Sequence, residues 1–167
     1  MRPKNPIRKR FDVQEPGKSA TFSSATALAA IGGASGNLYF VGLEGSGRRS
    51  LARAAAPRLG LAFAEAATRA QLDRALAGKG LTVAVTGDSL LLEEGVAEAL
   101  RASGKVFYLM SVAPILARRL GDLSRLEELA ARVERMEPVF FGAAHFILPL
   151  ASSEEEMLED VAEKASL

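Results

Sequence analysis

The 167 residues (17.6 kDa) are 49% hydrophobic and 25% charged, which suits one globular domain with a buried core and excludes a wholly disordered chain. Twenty-one Lys and Arg against 20 Asp and Glu leave a net charge of +1, which speaks against the whole protein as a nucleic-acid binder. The absence of Cys excludes disulfides, thiolate metal sites and a cysteine nucleophile, and the single His145 excludes a histidine-rich metal cluster.

Residues 1–36 form the first segment. Six basic side chains (Arg2, Lys4, Arg8, Lys9, Arg10, Lys18) stand against Asp12 and Glu15 within the first twenty positions, among Pro3, Pro6, Pro16 and Gly17. Neither helical nor strand periodicity is present, so the segment reads as a basic extension: an arm for an acidic protein partner, a nucleic acid or a membrane surface, or a solvated tail. Within it, a short helix is expected at 24–31. No apolar run is long enough for a membrane span, and no apolar signal core stands near the start, so a cytoplasmic location is expected.

A domain is expected over 37–167. Asn37–Val41 has strand character, Gly42-Leu43-Glu44-Gly45-Ser46-Gly47 is a glycine-rich loop, and Arg48–Leu59 carries Leu51, Ala55 and Leu59 at helical spacing before Gly60. Strand, glycine loop and helix in this order suit a phosphate: glycine lets the backbone curl around an anion, and helix-terminal N–H groups supply partial positive charge. Further strands are expected at 61–64, 81–86, 105–110 and 146–148, and helices at 68–77, 93–103, 114–120, 124–136 and 154–164. Five strands separated by helices predict an α/β fold of three layers, a five-stranded parallel sheet covered on both faces.

The order and spacing of these pieces resemble the shikimate kinase family of P-loop kinases over most of 37–165. The segments that carry the resemblance are Gly42–Ser50 at the phosphate loop, Arg58–Phe63 before the second strand, Thr86-Gly87-Asp88-Ser89 after the third, Gly104–Leu109 at the fourth and Pro138–Ala144 before the last. The resemblance implies a P-loop kinase-like fold, with ATP and Mg²⁺ as cofactors if the loop keeps its function. It also implies nucleotide or phosphate contacts from Gly42, Gly45, Ser46, Gly47, Arg48, Arg49 and Ser50, and an adenine contact from Arg118 or Arg119.

Several positions depart from the family pattern. A working loop reads G-x-x-x-x-G-K-[ST], the ammonium serving the outer phosphates and the hydroxyl the metal. Here Arg48 replaces the lysine, Arg49 replaces the hydroxyl residue, and Ser50 is one position late, a rotation of roughly 100° on a helix. Glu44 puts a carboxylate into the loop. The family's Asp-x-Asp is matched by Glu65 and Ala67, leaving Glu65 and Asp88 as the candidate catalytic carboxylates and no assigned metal ligand set. Thirteen residues separate Ala67 from Leu81, too few for the family's substrate-binding segment, and Gly121–Arg125 leaves almost no lid. Met136 stands where the family places a substrate-binding Arg. His145 precedes the last strand and reads as structural.

Two functional readings follow, and the sequence leaves open whether the protein is an enzyme. One is a degenerate kinase-like protein without shikimate kinase activity that binds a nucleotide, an anion or a regulatory partner. The other is an active ATP-dependent small-molecule kinase, for shikimate or another substrate, with Arg48 in place of the loop lysine.

Overall fold

The computed structural model describes residues 36–149 and 153–167. The basic extension up to Ser35, with the helix expected at 24–31, lies outside the described residues.

Five parallel strands form one sheet: β1 (Asn37–Val41), β2 (Ala62–Ala66), β3 (Leu81–Val85), β4 (Gly104–Met110) and β5 (Phe146–Pro149), in the order β2-β3-β1-β4-β5. Among the described residues, six α-helices flank them: α1 (Arg48–Leu59), α2 (Arg69–Ala77), α3 (Val96–Ser103), α4 (Ala113–Leu120), α5 (Leu126–Ala143) and α6 (Glu154–Ala165). The central strand is buried along its whole length, and its residues alternate between two cores because successive side chains leave a strand on opposite faces. Tyr39 and Val41 pack with α2, α3, α4 and α5 on one face. Leu38 and Phe40 pack with Leu51, Ala52 and Ala55 of α1 and with Met157 and Val161 of α6 on the other. The three-layer α/β expectation therefore holds.

Three phenylalanines tie the second core across neighbouring strands. Phe40, Phe107 and Phe146 sit opposite one another in the β1, β4 and β5 registers, their rings stacked at centroid spacings of 5.3 Å. Among the described residues, no helix is long and apolar enough to cross a membrane.

Element boundaries differ from the sequence reading in three places. The second strand starts at Ala62 and runs to Ala66, because Leu61 donates its N–H to Ala56 O and completes the end of α1; Glu65 thereby falls inside the strand, paired with Ala84. The helix expected from Glu93 begins at Val96, preceded by a 3₁₀ turn over Asp88–Leu92, since Gly95 at φ 83° lies in the left-handed region and interrupts helical geometry. Finally, α5 passes through Pro138 to Ala143 instead of stopping at Met136. Proline removes one backbone hydrogen bond there, but Leu129, Met136, Phe140 and Ala143 continue a single buried stripe across it, and their packing outweighs the loss.

Candidate functional site

The candidate site lies at the carboxyl ends of β1 and β3, where open parallel sheets place their ligands. Leu43–Ser46 form a tight turn closed by Ser46 N donating to Leu43 O at 3.0 Å. Gly45 (φ 88°) and Gly47 (φ 85°) occupy the left-handed region that a chain reversing into a helix needs, and side chains adopt it only with strain. Gly47 is the N-cap of α1 and supplies no side-chain cap, so the first amides of that helix, from Arg48, Arg49 and Ser50, are left for other acceptors. Leu43–Gly45, Gly47–Ser50, Glu65 and Asp88 are among the residues that line a cleft of about 600 Å³.

Arg48 dominates this cleft from within. Its side chain is buried, and its guanidinium donates to Gly42 O, to Thr86 O at 3.0 Å and to Asp88 Oδ1 at 2.8 Å. Burial pulls the guanidinium below its ordinary pKa, and the Asp88 carboxylate opposes that pull. Asp88 in turn accepts from Arg132 of α5. Arg132 lies 3.5 Å from Glu44 Oε1, and Glu44 also accepts from Arg125 at 2.9 Å, while Arg125 donates to Glu128 at 3.0 Å. Three guanidinium groups and three carboxylates thus form one continuous, charge-balanced network from the floor of the cleft to its rim. Hydrogen bonding from Arg125 holds Glu44 below the ordinary carboxylate range.

A second pair closes the other side. Arg49 Nη2 donates to Glu65 Oε2 at 2.8 Å, and Thr86 Oγ1 donates to the same oxygen at 3.0 Å, so the Arg49 hydrogen bond, with help from Thr86, holds Glu65 below its usual value. Ser50 Oγ donates to Glu154 of α6 at 2.6 Å. Ser46 is buried, and among the described residues its hydroxyl has no hydrogen-bond partner.

The structure therefore brings together Gly45, Gly47, Arg48, Arg49, Ser50, Glu65 and Asp88 in one cleft. Gly42, whose carbonyl accepts from Arg48, and the buried Ser46 do not line it. Arg119 also reaches the loop: a Cβ added to Gly47 would meet its Nη2 at 3.0 Å. Arg118 is exposed on the same turn of α4, and no hydrogen bond or ion pair joins it to the loop. Arg125 and Arg132 are residues that sequence reasoning missed; for Arg132 a signal existed. The signal for it was its position one helical turn before Met136, hence on the same face of α5. His145 is structural: its ring Nδ1 accepts from Val106 N at 2.9 Å and its backbone N–H donates to Val106 O at 2.8 Å.

The residues present do not fit a Mg²⁺ ion of the kind used by P-loop kinases, which rests on a loop hydroxyl and a strand-end acid. Arg49 holds the hydroxyl position, Ser50 is turned to Glu154, Asp88 is bracketed by two guanidinium groups, and Glu65 is held by Arg49 and Thr86. Among the described residues, no three metal-binding side chains gather at one point.

No protein-family model and no curated protein matches the sequence. Solved structures share the fold. Shikimate kinase from Bacteroides thetaiotaomicron aligns with a TM-score of 0.70 at 15% identity, over 78% of this chain and 98% of that one. Shikimate kinase from Acinetobacter baumannii, in complex with shikimate, gives 0.69 at 17% identity over 77% and 91%. The YorR protein of Bacillus subtilis, in complex with phosphorylated GDP, gives 0.67 at 15% identity over 78% and 96%. At such identities the likeness establishes the fold alone: a five-stranded parallel α/β fold like that of those shikimate kinases.

Proposed function

We propose that this chain is a kinase-fold protein without phosphoryl-transfer activity, which binds a phosphate-bearing anion such as a nucleotide at the loop over Gly42–Gly47. The observation that carries this reading is the engagement of Arg48. At the position where a working loop offers a compact ammonium to the outer phosphates, the guanidinium already donates to Gly42 O, Thr86 O and Asp88. The same contact, with Arg132, removes Asp88 as an organiser of a metal's water shell.

The capacity to hold an anion rests on the backbone. The uncapped amides at the start of α1 and the positive end of its dipole favour a phosphate group, and Arg119 stands beside them. The phosphorylated GDP held by YorR supports a nucleotide as the probe to use. In the same reading, the basic segment over 1–36 engages an acidic protein partner, and the protein works in the cytoplasm.

Thermal unfolding with a millimolar series of ATP and ADP, each with and without Mg²⁺, tests the reading beside an assay for ADP release. Ligand at 100 times its dissociation constant stabilises by about 2.7 kcal/mol, a shift of roughly 5–10 °C. The expected result is a shift indifferent to Mg²⁺ and no ADP release. A Mg²⁺-dependent shift with turnover that Asp88→Asn abolishes would overturn it in favour of an active small-molecule kinase. No shift with any nucleotide would remove the ligand and leave a partner-binding module.

A further inference from the structure

Glu44 is the second residue of the loop turn, and its half-exposed carboxylate reaches across the cleft mouth to two arginines more than eighty residues away in sequence: Arg125, just before α5, and Arg132, within it. Neither arginine depends on Glu44 for its position. Arg132 is also held by Asp88, and Arg125 by Glu128. If Glu44 withdrew, two guanidinium groups would remain fixed at the rim with donors free.

We infer that Glu44 is a resident counter-anion: its carboxylate holds Arg125 and Arg132 over the loop, and a phosphate-bearing ligand binds there by displacing it. This deepens the anion-binding reading and rests on it. The exchange is chemically favourable because a phosphoryl group carries more charge and more acceptor oxygens than one carboxylate, and guanidinium forks take phosphate in a bidentate fashion. It is also affordable, since exposed ion pairs are individually weak and yield to a stronger acceptor. Once displaced, Glu44 would leave a turn whose third residue, Gly45, already has left-handed freedom, so the carboxylate can swing to solvent.

The test is a calorimetric titration of inorganic pyrophosphate into wild type, Glu44→Gln, Arg132→Gln, the Glu44→Gln/Arg132→Gln double variant and Glu127→Gln, with ADP titrated in parallel. Glu127 is a nearby exposed carboxylate of α5 outside the network, so its variant reports the effect of removing charge alone. Glu44→Gln is expected to bind pyrophosphate three- to tenfold more tightly than wild type and Glu127→Gln, and adding Arg132→Gln is expected to cancel the gain. Equal affinity in wild type and Glu44→Gln, an equal gain in Glu127→Gln, or no binding by either protein overturns the inference. ADP binding by wild type without any gain in Glu44→Gln removes the exchange and leaves the proposed function standing. Pyrophosphate binding by Glu44→Gln with no ADP binding by any variant keeps the exchange and removes the nucleotide.

Discussion

Arg48 and Asp88, forty residues apart in sequence, meet at 2.8 Å between the first turn of α1 and the 3₁₀ turn after β3. This pair joins the two loops that form the cleft, and the same guanidinium holds the carbonyls of Gly42 and Thr86. Arg48→Ala would strand those two carbonyls and leave Asp88 to Arg132 alone. Charge-assisted hydrogen bonds and buried pairs of this kind set the expected loss at about 2–3 kcal/mol, or roughly 5–10 °C in Tm. Differential scanning calorimetry gives the answer; a change below about 1 °C would mean that the loop is held by its backbone turn.

Lys105 fastens the last helix to the sheet. It is fully buried on β4, and its ammonium donates to Lys164 O at 2.9 Å and Ala165 O at 3.0 Å, the open carbonyl end of α6 where positive charge is favourable. Lys105→Met keeps the length and leaves Ala165 O without its donor, while Lys164 O keeps the Leu167 N–H, at an expected cost of about 1–3 kcal/mol. Amide exchange should accelerate in the last turns of α6 while β1 stays protected. Uniform acceleration throughout the domain would contradict a local fastening.

His145 makes stability depend on acidity. Burial, with the nearby Arg101 and Lys105 charges, pushes its pKa from 6.5 down to about 4, and its neutral Nδ1 accepts the Val106 N–H. Because the folded value lies below the unfolded one, the unfolded chain takes up the proton first. Stability is therefore lost as pH falls from about 6.5 to about 4, by at most about 3 kcal/mol, and levels off below. His145→Asn retains an acceptor that does not titrate, so urea unfolding at pH 7 and pH 4.5 should show a smaller acid loss than in wild type. Parallel losses in the two proteins would contradict this role.

Two glycines should respond in opposite directions. Gly104 opens β4 so close to its neighbour that an added Cβ would stand 2.1 Å from Asn37 O and 2.9 Å from the Tyr39 ring, so Gly104→Ala has to push β1 and β4 apart. A loss above about 3 kcal/mol is expected, in the range of severe core strain. Gly142 lies exposed on α5 with open space around it, and Gly142→Ala should stabilise by about 0.5–1 kcal/mol. Equal effects from the two substitutions would mean that close strand approach does not explain Gly104.

The layered fold was legible because its signals are local. The short apolar strand runs, the glycine loop before α1 and the recurrence of Leu51 and Ala55 are properties of neighbouring residues, which burial reinforces. The late start of α3 and the continuation of α5 were not: Gly95 delays the one, and for the other propensity reads Pro138 as a stop and does not see the packing of Phe140 and Ala143 beyond it.

The sequence by itself determined which groups stand at the loop: the carboxylate of Glu44 and, after Gly47, the two arginines Arg48 and Arg49. It could not say what those charges touch, because an ion pair depends on separation in space. Only the tertiary structure decided that Asp88 and Glu44, alone as sequence features, are neutralised by Arg48, Arg125 and Arg132. Arg132 reaches them because α5 packs on the sheet face that holds Tyr39 and Val41, where Leu129, Met136 and Phe140 are buried.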